Sequence, residues 1–165
     1  MSEIERLKTI IERLRAKDGC PWDSVQTHES IKPMLIEEAA EVVCGINILT
    51  ETGDAGNLKE ELGDLLFQVF FHASLAEEEG LFTLEDVART ISDKMVRRHP
   101  HIFEDPDSPD TSGSAAWEEI KKAEKQGREW QEPYLAAAME EAKELIDVAE
   151  RRKGFKPAQP AGEKD

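Results

Sequence analysis

Leu58-Lys59-Glu60-Glu61-Leu62-Gly63-Asp64-Leu65-Leu66-Phe67-Gln68-Val69-Phe70-Phe71-His72-Ala73-Ser74-Leu75-Ala76-Glu77-Glu78-Glu79 is the stretch on which the fold turns. Between Leu65 and Ala76 only Gln68, His72 and Ser74 are polar. A helix written this way is apolar nearly all round and belongs at the centre of a bundle. Gly80 ends it. Its opening turns carry a different message. Glu61 and Asp64, three apart, project together, and Gln68 continues their edge. Carboxylates on the polar edge of a central helix are costly to withdraw from water unless something cationic neutralises them.

The preceding pattern, from about Thr27 to Leu49, is also helical, with Leu35, Ala39, Val42, Val43, Ile46 and Leu49 as its apolar stripe. Pro33 lies a turn inside, so the helix either begins there or is kinked. This helix has its own acids, Glu37-Glu38-Ala39-Ala40-Glu41. At about 100° per residue, Glu37, Glu38 and Glu41 share one arc of the surface. A Glu-Glu-x-x-Glu run alone is more often a solvated helix face. A second acidic cluster inside an otherwise apolar helix reverses that judgement. Paired carboxylates from two packed helices make a bundle site for a hard, oxygen-loving cation. Gly63 costs roughly 1 kcal/mol against alanine inside a helix, so its bare backbone suggests close approach of a ligand or, equally, of another helix.

Two further helices flank this pair. Ile4, Leu7, Ile10, Ile11 and Leu14 line a first one that Asp18-Gly19 ends. Thr83-Leu84-Glu85-Asp86 is a capping-box variant opening a fourth that stops before Pro100. Glu104 to Ser114 reads as a mobile loop, Trp117 to Lys125 as a short charged helix. Pro133 opens a last helix through Ala149, with Leu135, Met139, Ala142, Leu145, Ile146 and Ala149 inward and a disordered tail after Gly154. The expected fold class is all-α, a helical bundle.

Composition narrows the function. The 165 residues carry 36 acids against 21 Lys and Arg, a net charge of −15. Such a field repels phosphate backbones and anionic lipid, which argues against nucleic-acid and membrane partners. No apolar run is long enough to span a bilayer, and Met1 to Glu5 does not read as a signal peptide. Cys20 and Cys44 form no metal-binding pair, pointing to a reduced, cytoplasmic chain. No histidine follows a glutamate by three residues, the step a ferritin-like iron site requires, so Mg²⁺ is the expected metal, with Mn²⁺ as the alternative.

Against this acidity stands a basic island, Lys94, Arg97, Arg98 and His99. The helix macrodipole accounts for one or two of these; a polyphosphate ligand needs the rest. Trp117, a core residue in the plain reading, would otherwise stack on a base. The Gly19-Cys20-Pro21-Trp22-Asp23 turn with Gln26-Thr27-His28 has no periodic role. Trp22 is either a structural plug or a base-stacking ring, and Asp23, Gln26 and His28 are candidates to hydrogen-bond a base or ribose.

Together, Gly19 to Asp23, Gln26-Thr27-His28, Glu37-Glu38-x-x-Glu41, Glu60-Glu61-Leu62-Gly63-Asp64, Arg97-Arg98-His99-Pro100-His101-Ile102-Phe103 and Trp117 to Lys125 resemble the MazG family of nucleoside triphosphate pyrophosphohydrolases. The likeness runs from about Leu14 to Lys125. It implies an all-α domain over residues 1–130, with 131–165 a C-terminal helix and tail outside it, and completion as a homodimer or dimer of dimers. It implies Mg²⁺ held by Glu38, Glu41, Glu61 and Asp64, with Glu37 beside them. It also implies nucleotide contacts from Lys94, Arg98 and Trp117. The expected reaction is in-line attack by water on the α-phosphorus of a nucleoside triphosphate. Glu38, or in its place Glu37, activates the water, while Lys94, Arg97 and Arg98 neutralise the departing pyrophosphate. Related all-α enzymes acting on dUTP, dCTP or phosphoribosyl-ATP, and an acidic adaptor without enzymatic activity, are the competing readings.

Overall fold

The computed structural model describes residues 1–103 and 114–155. The expected loop at 104–113 and the tail from 156 lie outside them. Among the described residues there are helices, turns and no strand. In chain order the helices are α1 (Glu3–Arg15), α2 (His28–Thr52), α3 (Gly56–Glu78), α4 (Leu84–Arg98), the single turn α5 (Pro100–Phe103), α6 (Ser114–Lys125) and α7 (Glu132–Lys153). Short 3₁₀ turns occupy Asp23–Val25 and Glu129–Gln131. Two compact units result, one from Met1–Val69 with the chain from Ala136 onward, the other Phe70–Leu135.

In the first unit, α1 opens with a capping box between Ser2 and Glu5 and buries Ile11 and Arg15. Arg15 donates through Nη1 to the Asp23 carbonyl at 2.8 Å, tying the turn that follows α1 back onto that helix. Thr27 and Ser30 form a reciprocal cap that starts α2 at His28, so Pro33 sits inside the helix and does not begin it. Its lost N–H falls within the second turn, where the cap already holds the entry. α2 ends at Gly53, whose φ of +78° is the left-handed geometry that glycine adopts without strain. Asp54 Oδ1 then accepts from the Gly56 amide at 2.8 Å, and α3 returns antiparallel after a three-residue link.

The close approach of the hairpin occurs at a glycine the periodicity did not single out. Gly45 is buried, and a Cβ there would lie 2.7 Å from the Leu58 Cα. Gly63, expected to admit either a ligand or another helix, has no other helix within 4 Å of the equivalent position in this chain. The reason is register. From the Gly45–Leu58 contact, each turn back along α2 matches one turn forward along α3. Glu41 therefore comes level with Glu61, and Glu38 with Asp64.

The expectation of a central α3 holds for its second half only. Phe70, Phe71, Ala73, Leu75 and Ala76 are buried within the second unit, whereas Leu62 is 48% and Val69 38% exposed. On α2, Val43 and Ile46 of the expected inward stripe are also exposed. So are Leu135, Met139 and Ile146 on α7. In the second unit Gly80 ends α3, and the Thr83–Asp86 capping box starts α4 as its sequence indicates. No described helix is long and apolar enough to cross a membrane.

Candidate metal and nucleotide site

The antiparallel hairpin gathers one carboxylate from α2 and two from α3. An oxygen of Glu38, of Glu61 and of Asp64 all lie within 4.8 Å of one another. Glu38 and Glu61 are half-buried and Asp64 is exposed, so the site opens to solvent at its α3 edge. Burial, then the neighbouring charges of Glu41 and Asp64, push the Glu38 carboxyl up to about 7. A like-charge cluster behaves in this way when no cation separates its members. Three oxygen donors on rigid helices, crowded enough to hold a proton near neutrality, fit a hard divalent cation.

The other two acids of α2 are engaged differently. Glu37 accepts from Arg152 and lies 3.0 Å from Lys153 Nζ, while Glu41 accepts from Lys153. Burial works against the Glu37 charge, but Arg152 and Lys153 outweigh it and hold its carboxyl below the usual range. The five acids thus divide into an ion-paired pair, Glu37 and Glu41, and a triad, Glu38, Glu61 and Asp64. Glu41, also expected among the metal ligands, lies beside Glu38 and is paired with Lys153.

Three contributors escaped the sequence reading. Arg152 and Lys153 look like ordinary macrodipole partners at the end of α7, and nothing local ties them to α2. The third is Asn57, which donates through Nδ2 to Glu61 Oε1 at 2.9 Å and so orients that carboxylate. With its amide committed, Asn57 Oδ1 is a buried acceptor without a partner. The Asn57 residue borders a cavity of about 330 Å³ between α2, α3 and α7, beside Glu41, Glu61 and Lys153 and walled by Cys44, Ile48 and Ile146. One turn beyond Asp64, Gln68 is 5% exposed, and its Oε1 also lacks a partner.

The turn after α1 is mostly structural. Asp23 is buried, its carbonyl held by Arg15. Gln26 donates to the Trp22 carbonyl at 2.8 Å and accepts from Ser30 Oγ at 2.7 Å. Trp22 is no plug, being 50% exposed, and His28 is half-buried.

The basic island lies in the second unit, around a cavity of about 530 Å³ lined by Lys94, Arg97, Arg98, Lys121, Lys125 and Arg128, together with two acids. One of those acids, Glu124, accepts from Arg97 Nη2 at 2.8 Å and Arg98 Nε at 3.1 Å. Hydrogen bonds from Arg98 and then Arg97 hold the Glu124 carboxyl at about 2. The Arg98 guanidinium also sits 4.8 Å from the centre of the half-buried Trp117 ring, with His99 against the same indole. Arg98 and Trp117, each expected to contact the nucleotide, meet each other in a cation–π arrangement.

A helical hairpin that gathers an acidic triad, in a chain that also carries a cationic cavity, defines an all-α protein with a candidate metal site. The model of the MazG nucleotide pyrophosphohydrolase domain matches residues 26–103. The chain is 53% identical over 121 residues to the nucleoside triphosphate pyrophosphohydrolase/pyrophosphatase MazG of Thermotoga maritima, covering 73% of this chain and 45% of that one. It is 47% identical over 127 residues to the nucleoside triphosphate pyrophosphohydrolase of Escherichia coli K12, covering 76% and 47% respectively. The crystal structure of a mazG-related protein from Thermotoga maritima superposes with a TM-score of 0.54 at 30% identity, covering 72% of this chain and 98% of that one. The chain belongs to the MazG family. It spans just under half the length of the two named relatives it matches.

Proposed function

We propose that this protein hydrolyses nucleoside triphosphates to nucleoside monophosphate and pyrophosphate, using Mg²⁺ or Mn²⁺ held by Glu38, Glu61 and Asp64. The observation that carries the reading is the triad itself, carboxylate oxygens within 4.8 Å on two helices of a MazG-family chain. Bound there, the divalent ion supplies charge neutralisation for the triad and a Lewis-acidic anchor for phosphate oxygens.

The chain's own residues account for the rest. Water attacks the α-phosphorus, the α–β bridging P–O bond breaks, and pyrophosphate leaves with the bridging oxygen. Glu38 is assigned to accept the proton from water, the role its place beside Glu61 and Asp64 gives it. Glu37, the substitute base of the sequence reading, is a weaker one because Arg152 and Lys153 keep it ionised and engaged. Asn57 fixes the rotamer of Glu61, and Glu41 holds Lys153 at the edge of the triad. Lys94, Arg97 and Arg98 are assigned to the triphosphate, where guanidinium forks match phosphate oxygens. Trp22, Asp23, His28 and Trp117 remain assigned to the nucleoside, Trp22 on the strength of its open ring.

We assign the working form as a homodimer, supported by the exposed apolar side chains of Val43, Ile46, Leu62 and Val69 on α2 and α3. Cytoplasmic nucleotide pools are the expected setting, where Cys20 and Cys44 remain free thiols.

A panel of nucleoside and deoxynucleoside triphosphates with Mg²⁺, followed by pyrophosphate release, tests the activity. The same panel separates general triphosphate hydrolysis from action on dUTP, dCTP or phosphoribosyl-ATP. Loss of turnover in Glu38→Ala and Asp64→Ala, with helicity retained, supports the site; full activity in either variant sinks it.

A further inference from the structure

We infer that Glu124 is a positioning residue, a carboxylate that gathers Arg97 and Arg98 and fixes the Arg98 guanidinium against Trp117 for contact with substrate phosphate oxygens. The inference rests on the function proposed above and adds to it an acid on α6, beyond the residues matched by the family model.

The sequence separates the groups that Glu124 brings together. Arg97 and Arg98 are consecutive at the end of α4, so their side chains leave the helix about 100° apart. Glu124 offers one oxygen to each. Its Oε1 accepts from Arg97 Nη2 at 2.8 Å, while Oε2 accepts from Arg98 Nε at 3.1 Å and from Arg98 Nη2. Trp117 stands two turns before Glu124 on α6, and so shares its face. That face meets Arg98 twice, with the carboxylate on the Nε–Nη2 edge and the centre of the indole 4.8 Å from the guanidinium carbon. On α4, Lys94 stands one turn before Arg98 on the same side of the helix. All of these residues belong to one unit of the fold.

The macrodipole favours cations at the end of α4 but fixes no rotamer. Nor is Glu124 a stopper for the cationic cavity. Among the described residues, six cationic and two acidic side chains line it, so a large positive excess remains with Glu124 in place. The Arg98 and Glu124 side chains are 12% and 21% exposed, so pulling this pair apart would strand partly buried charge. An incoming phosphate therefore adds to the assembly and does not replace its carboxylate. The Arg97 side chain is 59% exposed while bonded to Glu124, which leaves N–H groups accessible to an anion. Holding two long, rotamer-rich side chains in place before the ligand arrives removes an ordering cost from binding.

The test uses Glu124→Gln, which keeps the shape and removes the charge, and Glu124→Asp, which keeps the charge and shortens its reach, in the full chain. Calorimetric titration with pyrophosphate in saturating Mg²⁺ reads binding without turnover. Steady-state kinetics with the best triphosphate of the panel reads KM and kcat separately. Removing a negative charge from a cationic cavity would by itself tighten an anion. Loss of positioning has the opposite sign. Glu124→Gln is expected to weaken pyrophosphate binding and raise KM about tenfold, with kcat changed less than about threefold and Glu124→Asp between it and wild type. In Arg98→Lys, where the guanidinium fork is already gone, adding Glu124→Gln is expected to cost less than about twofold more. Unchanged or tighter pyrophosphate binding in Glu124→Gln overturns the inference. So does a fully additive loss in the double variant, the result a merely structural role would give. A wild-type protein that binds no pyrophosphate overturns it as well. A wild-type protein that binds pyrophosphate but releases none from any triphosphate defeats the proposed activity instead, and the calorimetric comparison still decides the role of Glu124.

Discussion

Glu38 concentrates the conflict between stability and function. Its carboxyl stands at about 7 because burial and the charges of Glu41 and Asp64 oppose ionisation. Replacing it with glutamine removes that repulsion at nearly constant shape. Glu38→Gln is therefore expected to raise the melting temperature of metal-free protein at pH 8 by a few degrees, to shrink the Mg²⁺-induced rise, and to lower turnover by about 10²-fold or more. Differential scanning fluorimetry with and without Mg²⁺ reads the first two. Asn57 acts one bond further out. Asn57→Ala should keep the fold while weakening divalent-ion affinity about tenfold, because Glu61 loses the donor that orients it. Titration calorimetry checks this, and an unchanged affinity would show that Glu61 is held by other means. Glu124 sets a pH dependence of opposite sign to Glu38. Arg98 and Arg97 depress its pKa from the ordinary 4.5 to about 2, so the folded chain gives up this proton more readily than the unfolded one. Its contribution is complete above about pH 4.5 and disappears as pH falls toward 2. Glu124→Gln should flatten that part of an acid-unfolding curve and leave the neutral region less stable than wild type.

Among the helices, the α2–α3 hairpin determines whether a site exists. Gly45 permits the backbone contact with Leu58 that brings Glu38 level with Asp64 and Glu41 with Glu61. Gly45→Val places methyls where the Leu58 backbone already lies. It should cost about 1–3 kcal/mol in denaturant unfolding and abolish the Mg²⁺-induced melting shift, because the helices must separate or slip. A matched control is Gly63→Ala. Nothing lies within 4 Å of its Cβ position, and alanine favours the helix, so a small gain in stability is expected. The periodic pattern located both helices and both acidic clusters correctly. It did not single out Gly45, because a helix-interior glycine looks the same whether its bare side faces a neighbour or open space.

For the molecule as a whole, apolar exposure becomes informative. Val43, Ile46, Leu62 and Val69 are large apolar side chains exposed on α2 and α3, the kind of surface a second copy covers. Sedimentation equilibrium should find a dimer, and the paired change Ile46→Glu with Leu62→Glu should give a monomer. A wild-type monomer at micromolar concentration would refute the assignment. Val43 and Ile46 belong to the stripe expected to face inward on α2, and in the single chain they face outward. Periodicity identifies an apolar face, while the surface that covers it can belong to the same chain or to another.

The order of the residues was enough to establish an all-helical chain, the caps at Thr27 and Thr83, the two acidic clusters and the resemblance carried by motifs from Gly19 to Lys125. These are local properties, set by spacing along one helix or turn. The packed chain was needed to gather Glu38, Glu61 and Asp64, to pair Glu37 and Glu41 with Arg152 and Lys153 from the far end of α7, and to assign Asn57 to Glu61. Which charge meets which depends on helix register and long-range closure, and neither leaves a periodic trace along the chain.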